Sequence, residues 1–206
     1  MKEKEVFGTA GYAEQATILF AQYENFDMAE SLKPVVGFFP AKPSQILDIG
    51  AGTGALAAWF AGHGHNVVAV EPVRQFREPA RLAHPERNIC FIDDSLPDLK
   101  AIAQQNQRFD LITLNAVWMH LDAKRRETAM GNISSLLRYG GRVFISLRHG
   151  IVPQGRQMFQ ISPTETVELA SRHGLVKIHQ SQTESIQAEN RKNGVTWTKL
   201  LFESQA

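Results

Sequence analysis

Residues 45–71 read QILDIGAGTGALAAWFAGHGHNVVAVE, and this stretch decides the fold. An apolar run ends in Asp48, a glycine loop follows, and a second apolar run ends in Glu71. A strand, tight turn, helix and second strand closed by an acid build a nucleotide-sized pocket on the carboxyl edge of a sheet. Glycines in such a loop let backbone N–H groups approach a ligand that a Cβ would hold off. The closing acid has two oxygens, enough to accept both hydroxyls of a ribose. Glu71 lies 21 positions after Gly50, close to the ~20 of such units.

Gly50, Gly52 and Ala55 satisfy the loose dinucleotide pattern G-x-G-x-x-G/A, so that pattern alone does not say which nucleotide is held. Two details disfavour NAD. Asp48 would put a negative charge near an anionic pyrophosphate, and the third glycine is Gly54, giving G-x-G-x-G. An acid at that strand end suits a ligand with a positive ammonium or sulfonium. The run DIGAGTG, residues 48–54, resembles motif I of the class I S-adenosylmethionine (SAM) dependent methyltransferases, and Glu71 resembles their ribose-binding acid. The resemblance extends over roughly residues 46–146. It implies SAM as cofactor, S-adenosylhomocysteine as product, and cofactor-binding roles for Asp48, Gly50, Ala51, Gly52, Gly54, Glu71 and Pro72.

Outside this stretch the chain alternates as a doubly wound α/β fold should. Further strands are expected at 88–92, 109–115 and 142–147, with Asp122 capping a long helix that runs to about Arg138. SPTE, residues 162–165, reads as a capping box opening a helix that ends at Gly174. Strand-like segments at 175–181 and 195–203 follow, joined by a short polar stretch without helical period. A short connection favours antiparallel pairing. The methyltransferase resemblance implies the same ending, with an antiparallel seventh strand inserted beside the fifth. The expected fold is thus a doubly wound, seven-stranded, mostly parallel sheet with an antiparallel terminal strand.

Residues 1–40 are expected to form an N-terminal helical cap on a Rossmann-like domain spanning 41–206. Residues 1–11 are charged and glycine-containing and read as loosely ordered. From Tyr12 a helical period places Ala16, Leu19, Phe20 and Tyr23 on one face. Asp27 with Glu30 reads as a capping pair, and Pro34 should interrupt the helix that follows.

The 206 residues suffice for one domain with a small appendage. With 22 basic and 21 acidic residues the formal charge is +1, which gives no electrostatic footprint for nucleic acid. No run approaches membrane-spanning length, the N-terminus lacks the apolar region of a signal peptide, and a cytoplasmic location is expected. The lone Cys90 lies in the apolar segment NICFI and reads as core. No His/Cys/Asp/Glu cluster has metal-ligand spacing, so no metal is expected.

The remaining site candidates rest largely on the resemblance. FIDDSLPDL resembles the family's "D-A-x-x-L-P" element, which gives Asp94 and Ser95 the adenine side; the alternative for Asp94 is a cap on the following turn. FDLITLNAVWMHL resembles its fourth motif and places Asn115 and Ala116 toward the methionine end of the cofactor. Asn115 lacks the Pro-Pro-Tyr of enzymes methylating adenine or glutamine amino groups, which disfavours that subclass.

Trp118 and His120 either line the substrate side or pack. LLRYGGRVFIS resembles the family's "L-x-P-G-G" strand entrance, with Tyr139 in place of proline. Beyond it, Arg148, His149 and Arg156 concentrate in LRHGIVPQGRQ. Guanidinium groups there suit a carboxylate or phosphate, or else sit in a solvated loop. Tyr12 is either a substrate contact or a hydrophobic tether. If the acceptor needs a base, His149 and then His120 are the candidates. The expected activity is methyl transfer to a small molecule; a non-catalytic SAM-binding module and an NAD-dependent oxidoreductase are the rivals.

Overall fold

A computed structural model describes residues 6–205. Two helices open it, α1 (Tyr12–Glu24) and α2 (Met28–Leu32), followed by a 3₁₀ turn at Val36–Phe38. Then come β1 (Gln45–Ile49), α3 (Ala55–Gly62), β2 (Asn66–Val70), α4 (Arg74–Ala83), β3 (Ile89–Ile92), α5 (Lys100–Ala103) and β4 (Phe109–Leu114). A second 3₁₀ turn at Trp118–His120 precedes α6 (Ala123–Ser135) and β5 (Leu137–His149). The chain closes with α7 (Pro163–Arg172), β6 (Leu175–Glu184), α8 (Ala188–Lys192) and β7 (Thr196–Ser204).

The seven strands lie in the order β3-β2-β1-β4-β5-β7-β6. β7 is antiparallel to both its neighbours, and the other six strands run one way. The doubly wound sheet with a reversed last strand is therefore present. Its central strands read as continuous apolar runs because both faces are covered: Ile46, Leu47, Leu111, Ile112, Val143 and Phe144 are all fully buried. Strand order reverses between β1 and β4, and this switch point opens a crevice at the carboxyl ends of the strands.

The caps fall where the sequence puts them. Asp27 Oδ1 accepts from Glu30 N, Asp122 Oδ1 from Arg125 N, and Ser162 Oγ from Glu165 N. Other features differ. β5 begins at Leu137, five residues early, because the Gly140–Gly141 segment continues the strand instead of turning into it. The polar connection before β7 holds the short helix α8, which buries no residue and so leaves no apolar period. Cys90 is exposed on β3, the edge strand of the sheet.

The N-terminal helices share the core of the sheet: Leu32, Val35 and Phe39 pack with Phe60, Phe144 and Leu201. Of the stretch read as loosely ordered, residues 1–5 lie outside the described residues. Residues 6–11 form tight turns, with Thr9 N donating to Val6 O and Tyr12 N to Thr9 O, both at 3.1 Å.

Truncating Phe60, a fully buried residue of α3, leaves a cavity, so Phe60→Ala is expected to lower stability by ~3–5 kcal/mol. Ser162→Ala removes only a cap and should cost ~1 kcal/mol. Urea unfolding midpoints of the two variants check both values and their order.

Candidate cofactor and substrate site

Along the carboxyl ends of β2, β1, β4 and β5, and across the amino-terminal half of the antiparallel β7, runs one cavity of about 470 Å³, within the size range of small-molecule sites. Its floor carries Asp48, Gly50, Ala51, Gly52, Glu71 and Pro72, with Ser95 and Leu96 at one end. Asn115, Ala116, Ser146 and Arg148 continue the floor, and Val6–Thr9, Tyr12, Gln15 and Tyr23 form a roof.

Glu71 is buried at the end of β2. Its Oε2 accepts Gly52 N and its Oε1 accepts Val73 N, each at 2.8 Å. Burial is the main cause that pushes its carboxyl up to about 7, against the pull of those two N–H groups. The buried Arg77 holds this strand end from behind. Its Nη1 donates to the Glu71 and Pro72 carbonyls and its Nη2 to Asp93 Oδ2 at 2.8 Å.

Asp48 stands one strand away. Thr113, its direct register partner on β4, donates Oγ1 to Asp48 Oδ1 at 2.6 Å. The other oxygen, Oδ2, is buried without a hydrogen-bond partner. Burial pushes this carboxyl up to about 6. An orphaned buried acceptor costs about 1–3 kcal/mol until a donor reaches it, and the side chain lines the cavity.

The glycine loop divides its labour. Gly50 has φ +70° and passes under Val117, whose Cγ2 would be 2.5 Å from an added Cβ. Gly52 has φ +57°, an added Cβ there would meet open space, and its N–H is spent on Glu71 Oε2. Gly54, expected to touch the cofactor, is outside the cavity lining. It caps α3 at φ +83°, and a Cβ there would lie 2.8 Å from Phe91 Cζ. Its role is to let the loop close against β3.

At the end of β4, Ser146 accepts Ala116 N at 2.7 Å and donates to Asn115 Oδ1 at 2.8 Å. Ala116 takes φ +62°, a left-handed conformation that costs an ordinary residue ~1–3 kcal/mol and marks functional sites. Ser146 holds the strained turn.

Three other expectations are corrected by this geometry. Asp94 is turned away from the cavity as a cap: its oxygens accept Ser95 N, Ala101 N and Ile102 N. Trp118 is fully buried in the main core cluster and does not line the cavity, whereas its neighbours Val117 and Met119 do. His149 follows Arg148 on β5, and strand alternation sends it to the opposite face. There its Nε2 lies 2.8 Å from Thr198 Oγ1, away from the cavity.

The cavity does gather Tyr12, His120, Arg148 and Arg156. His120 Nδ1 lies 2.8 Å from Gln157 O, which only accepts, so Nδ1 carries the proton. Its Nε2 then accepts the Tyr12 O–H at 3.0 Å. Burial above all holds His120 below its ordinary value, with the charges of Arg156 and Arg148 acting the same way. The imidazole is neutral and competent to take a proton.

Sequence reading missed Arg77, Thr113, Ser146 and Lys199. Thr113, Ser146 and Lys199 are polar residues inside apolar strands, and that signal was open to view. Lys199 is buried, and its Nζ donates to Ser31 O on α2. Among the described residues no three His, Cys, Asp or Glu side chains are grouped to hold a metal. No described helix is long and apolar enough to cross a membrane.

A parallel sheet with a reversed last strand, a glycine loop and a strand-end acid define a Rossmann-like nucleotide-binding protein. The family described as "Methyltransferase domain" matches residues 20–189, and the chain belongs to it. A ubiquinone biosynthesis O-methyltransferase of Coxiella burnetii is 30% identical over 105 residues. That match covers 51% of this chain and 44% of the relative, so it spans less than half the relative's length.

Among solved structures, a TehB-like SAM-dependent methyltransferase from Corynebacterium glutamicum is similar at TM-score 0.68 and 20% identity. The likeness covers 94% of this chain and 98% of that one. The Burkholderia thailandensis 1,6-didemethyltoxoflavin-N1-methyltransferase, solved with 1,6-didemethyltoxoflavin and S-adenosylhomocysteine, is similar at TM-score 0.65 and 20% identity. It covers all of this chain and 94% of its own. At such identities these likenesses concern the fold.

An acid whose pKa is raised on folding binds its proton more tightly in the folded state. Its contribution is fully present below its ordinary value and is lost as pH rises through the folded value. For Asp48 that window runs from 3.8 to about 6, and for Glu71 from 4.5 to about 7. Stability should therefore fall across pH 4–7 by ~1.4 kcal/mol per pH unit for each titrating group. The double variant Asp48→Asn/Glu71→Gln should lose this slope; urea unfolding at pH 4.5, 6 and 7.5 measures it.

Proposed function

We propose that this protein transfers a methyl group from SAM to a small-molecule acceptor. The observation that carries the reading is the pair of buried acids flanking the glycine loop, both lining the cavity and one with an orphaned oxygen. Asp48 Oδ2 fits the cationic, hydrogen-bond-donating methionine end of SAM, and an anionic pyrophosphate would meet repulsion there. Glu71 fits the ribose hydroxyls, which would take over acceptor positions now shared with Gly52 and Val73. Ser95 and Leu96 then flank the adenine, and Asn115 and Ala116 the methionine.

When bound, SAM supplies a methyl group on a sulfonium, already activated for displacement. The protein's share is alignment and exclusion of water. The roof residues Phe7, Tyr12 and Tyr23 close the cavity from above. His120 replaces His149 as the candidate base, since its Nε2 reaches the cavity and is unprotonated. The acceptor's proton would pass to that nitrogen once the Tyr12 hydroxyl gives way.

Thermal shifts with SAM, S-adenosylhomocysteine, NAD and NADH test the cofactor. Saturation at a hundredfold the dissociation constant adds ~2.7 kcal/mol and should raise the midpoint by several degrees. The expected result is a shift with the two adenosyl compounds only, reduced at least tenfold in affinity by Glu71→Ala. A shift with the nicotinamides alone refutes the reading. Release of S-adenosylhomocysteine with an acceptor separates an enzyme from a binding module, and His120→Ala should slow that turnover by ~10²-fold or more.

A further inference from the structure

Two guanidinium groups converge on the roofed half of the cavity without a carboxylate to meet them. Arg148, on the cavity face of β5, spends Nη1 on the Ile151 carbonyl at 2.8 Å. Arg156 lays its guanidinium 4.0 Å from the Tyr12 ring centroid and gives Nη2 to Gln15 Oε1 at 2.8 Å. Its Nη1 is buried without a hydrogen-bond partner. Among the described residues the recorded ion pairs include neither arginine.

The arrangement is built. Gly11 has φ +72°, and a Cβ there would lie 2.6 Å from Arg156 Nη1 and 2.4 Å from Gly155 O. Only a glycine at that position lets the loop carrying Arg156 seat under the roof. The same cavity is lined by the apolar Phe7, Met119, Met158 and Trp197, two of them flat aromatic rings, and by polar residues that include the exposed Glu184. Two half-buried guanidinium groups without an ion-pair partner leave the cavity suited to an anion, since guanidinium forks match the two oxygens of an acid.

We propose that Arg148 and Arg156 receive the anionic group of the methyl acceptor, which is therefore a small carboxylate- or phosphate-bearing compound with a flat apolar body. This rests on the methyltransferase reading for the word acceptor, though the anion site can be measured without it. The acid would be gripped beside Tyr12, with its nucleophile presented toward His120. It would also cancel the arginine charges that help hold His120 below its ordinary value, so a bound acid makes that imidazole the stronger base.

The same two groups could be met by the carboxylate of the donor's own methionine part, and the experiment separates the sources. Benzoate, its neutral counterpart benzamide, and inorganic phosphate are titrated by calorimetry into the full chain, with and without saturating S-adenosylhomocysteine. Wild type, Arg148→Gln, Arg156→Gln, Arg156→Lys and the surface control Arg108→Gln are compared, each checked for a native melting transition. The expected result is benzoate or phosphate binding at least tenfold tighter than benzamide. That preference should be lost in both Gln variants, partly kept in Arg156→Lys and unchanged in Arg108→Gln, with S-adenosylhomocysteine affinity within threefold of wild type.

No preference for either anion, or a preference that survives both Gln variants, overturns the proposal. So does a tenfold loss of S-adenosylhomocysteine affinity without loss for 5′-methylthioadenosine, which lacks the carboxylate, because the arginines then serve the donor. Failure of wild type to bind any adenosyl compound strikes the methyltransferase reading instead, and the anion titrations on the free protein still decide the arginine site.

Discussion

The cleft depends on one constraint: a carboxylate, Glu71, buried at the end of β2 among backbone groups that all point at it. Gly52 and Val73 donate to its two oxygens, and Arg77 takes its carbonyl. These contacts fix the glycine loop, the start of α4 and the end of β3 relative to one another, because Arg77 also bridges to Asp93. Neutralising Glu71 would not simply remove a ligand contact. It would loosen the joint at which three loops meet, which is why an acid is tolerated there against the cost of burial.

The second half of the cavity is held differently. Its floor is sheet, but its roof is chain that enters from the N-terminus. Tyr12 joins the two through His120, and Arg156 joins them through the Tyr12 ring and Gln15. Each of these links uses a polar group that faces the cavity. Closure of the roof and occupation of the chamber therefore draw on the same side chains. A substrate that competes for the Tyr12 hydroxyl or for Arg156 also alters what keeps the roof down.

The fold was legible because it is written in periodicities and punctuation. Continuous apolar runs gave the central strands, glycines the turns, and Asp27, Asp122 and Ser162 the helix starts. The early start of β5 and the short α8 escaped, since neither carries an apolar pattern to announce it. At the site, backbone-dictated positions were readable and side-chain directions were not. Asp48 and Glu71 lie where a strand end must put them. Asp94 was lost to a competing local bond with the α5 N-terminus, a preference that aspartate always offers. His149 was misplaced because β5 runs two residues beyond its expected end at 147, so alternation applies to it and, with Arg148 facing the cavity, sends it to the other face.

That alternation explains why the missed residues were the informative ones. A polar residue in a strand buried on both faces has no solvent to turn to, so it must be paired or aimed at a cavity. Thr113 sits in register with Asp48 and bonds to it. Ser146 sits in register with Lys199, and the two stand side by side on the cavity face. Ser146 fixes the strained Ala116 turn, and Lys199 reaches across to the Ser31 carbonyl on α2. Burial lowers the Lys199 amine below its ordinary value, the cost of using a buried cation to anchor α2 to the sheet. These polar interruptions in FDLITL, GRVFIS and TWTKLLF line one edge of one sheet because the register allows no other arrangement. A strand pairing shifted by one residue would turn the shifted strand's polar residue to the other face of the sheet, away from its partner.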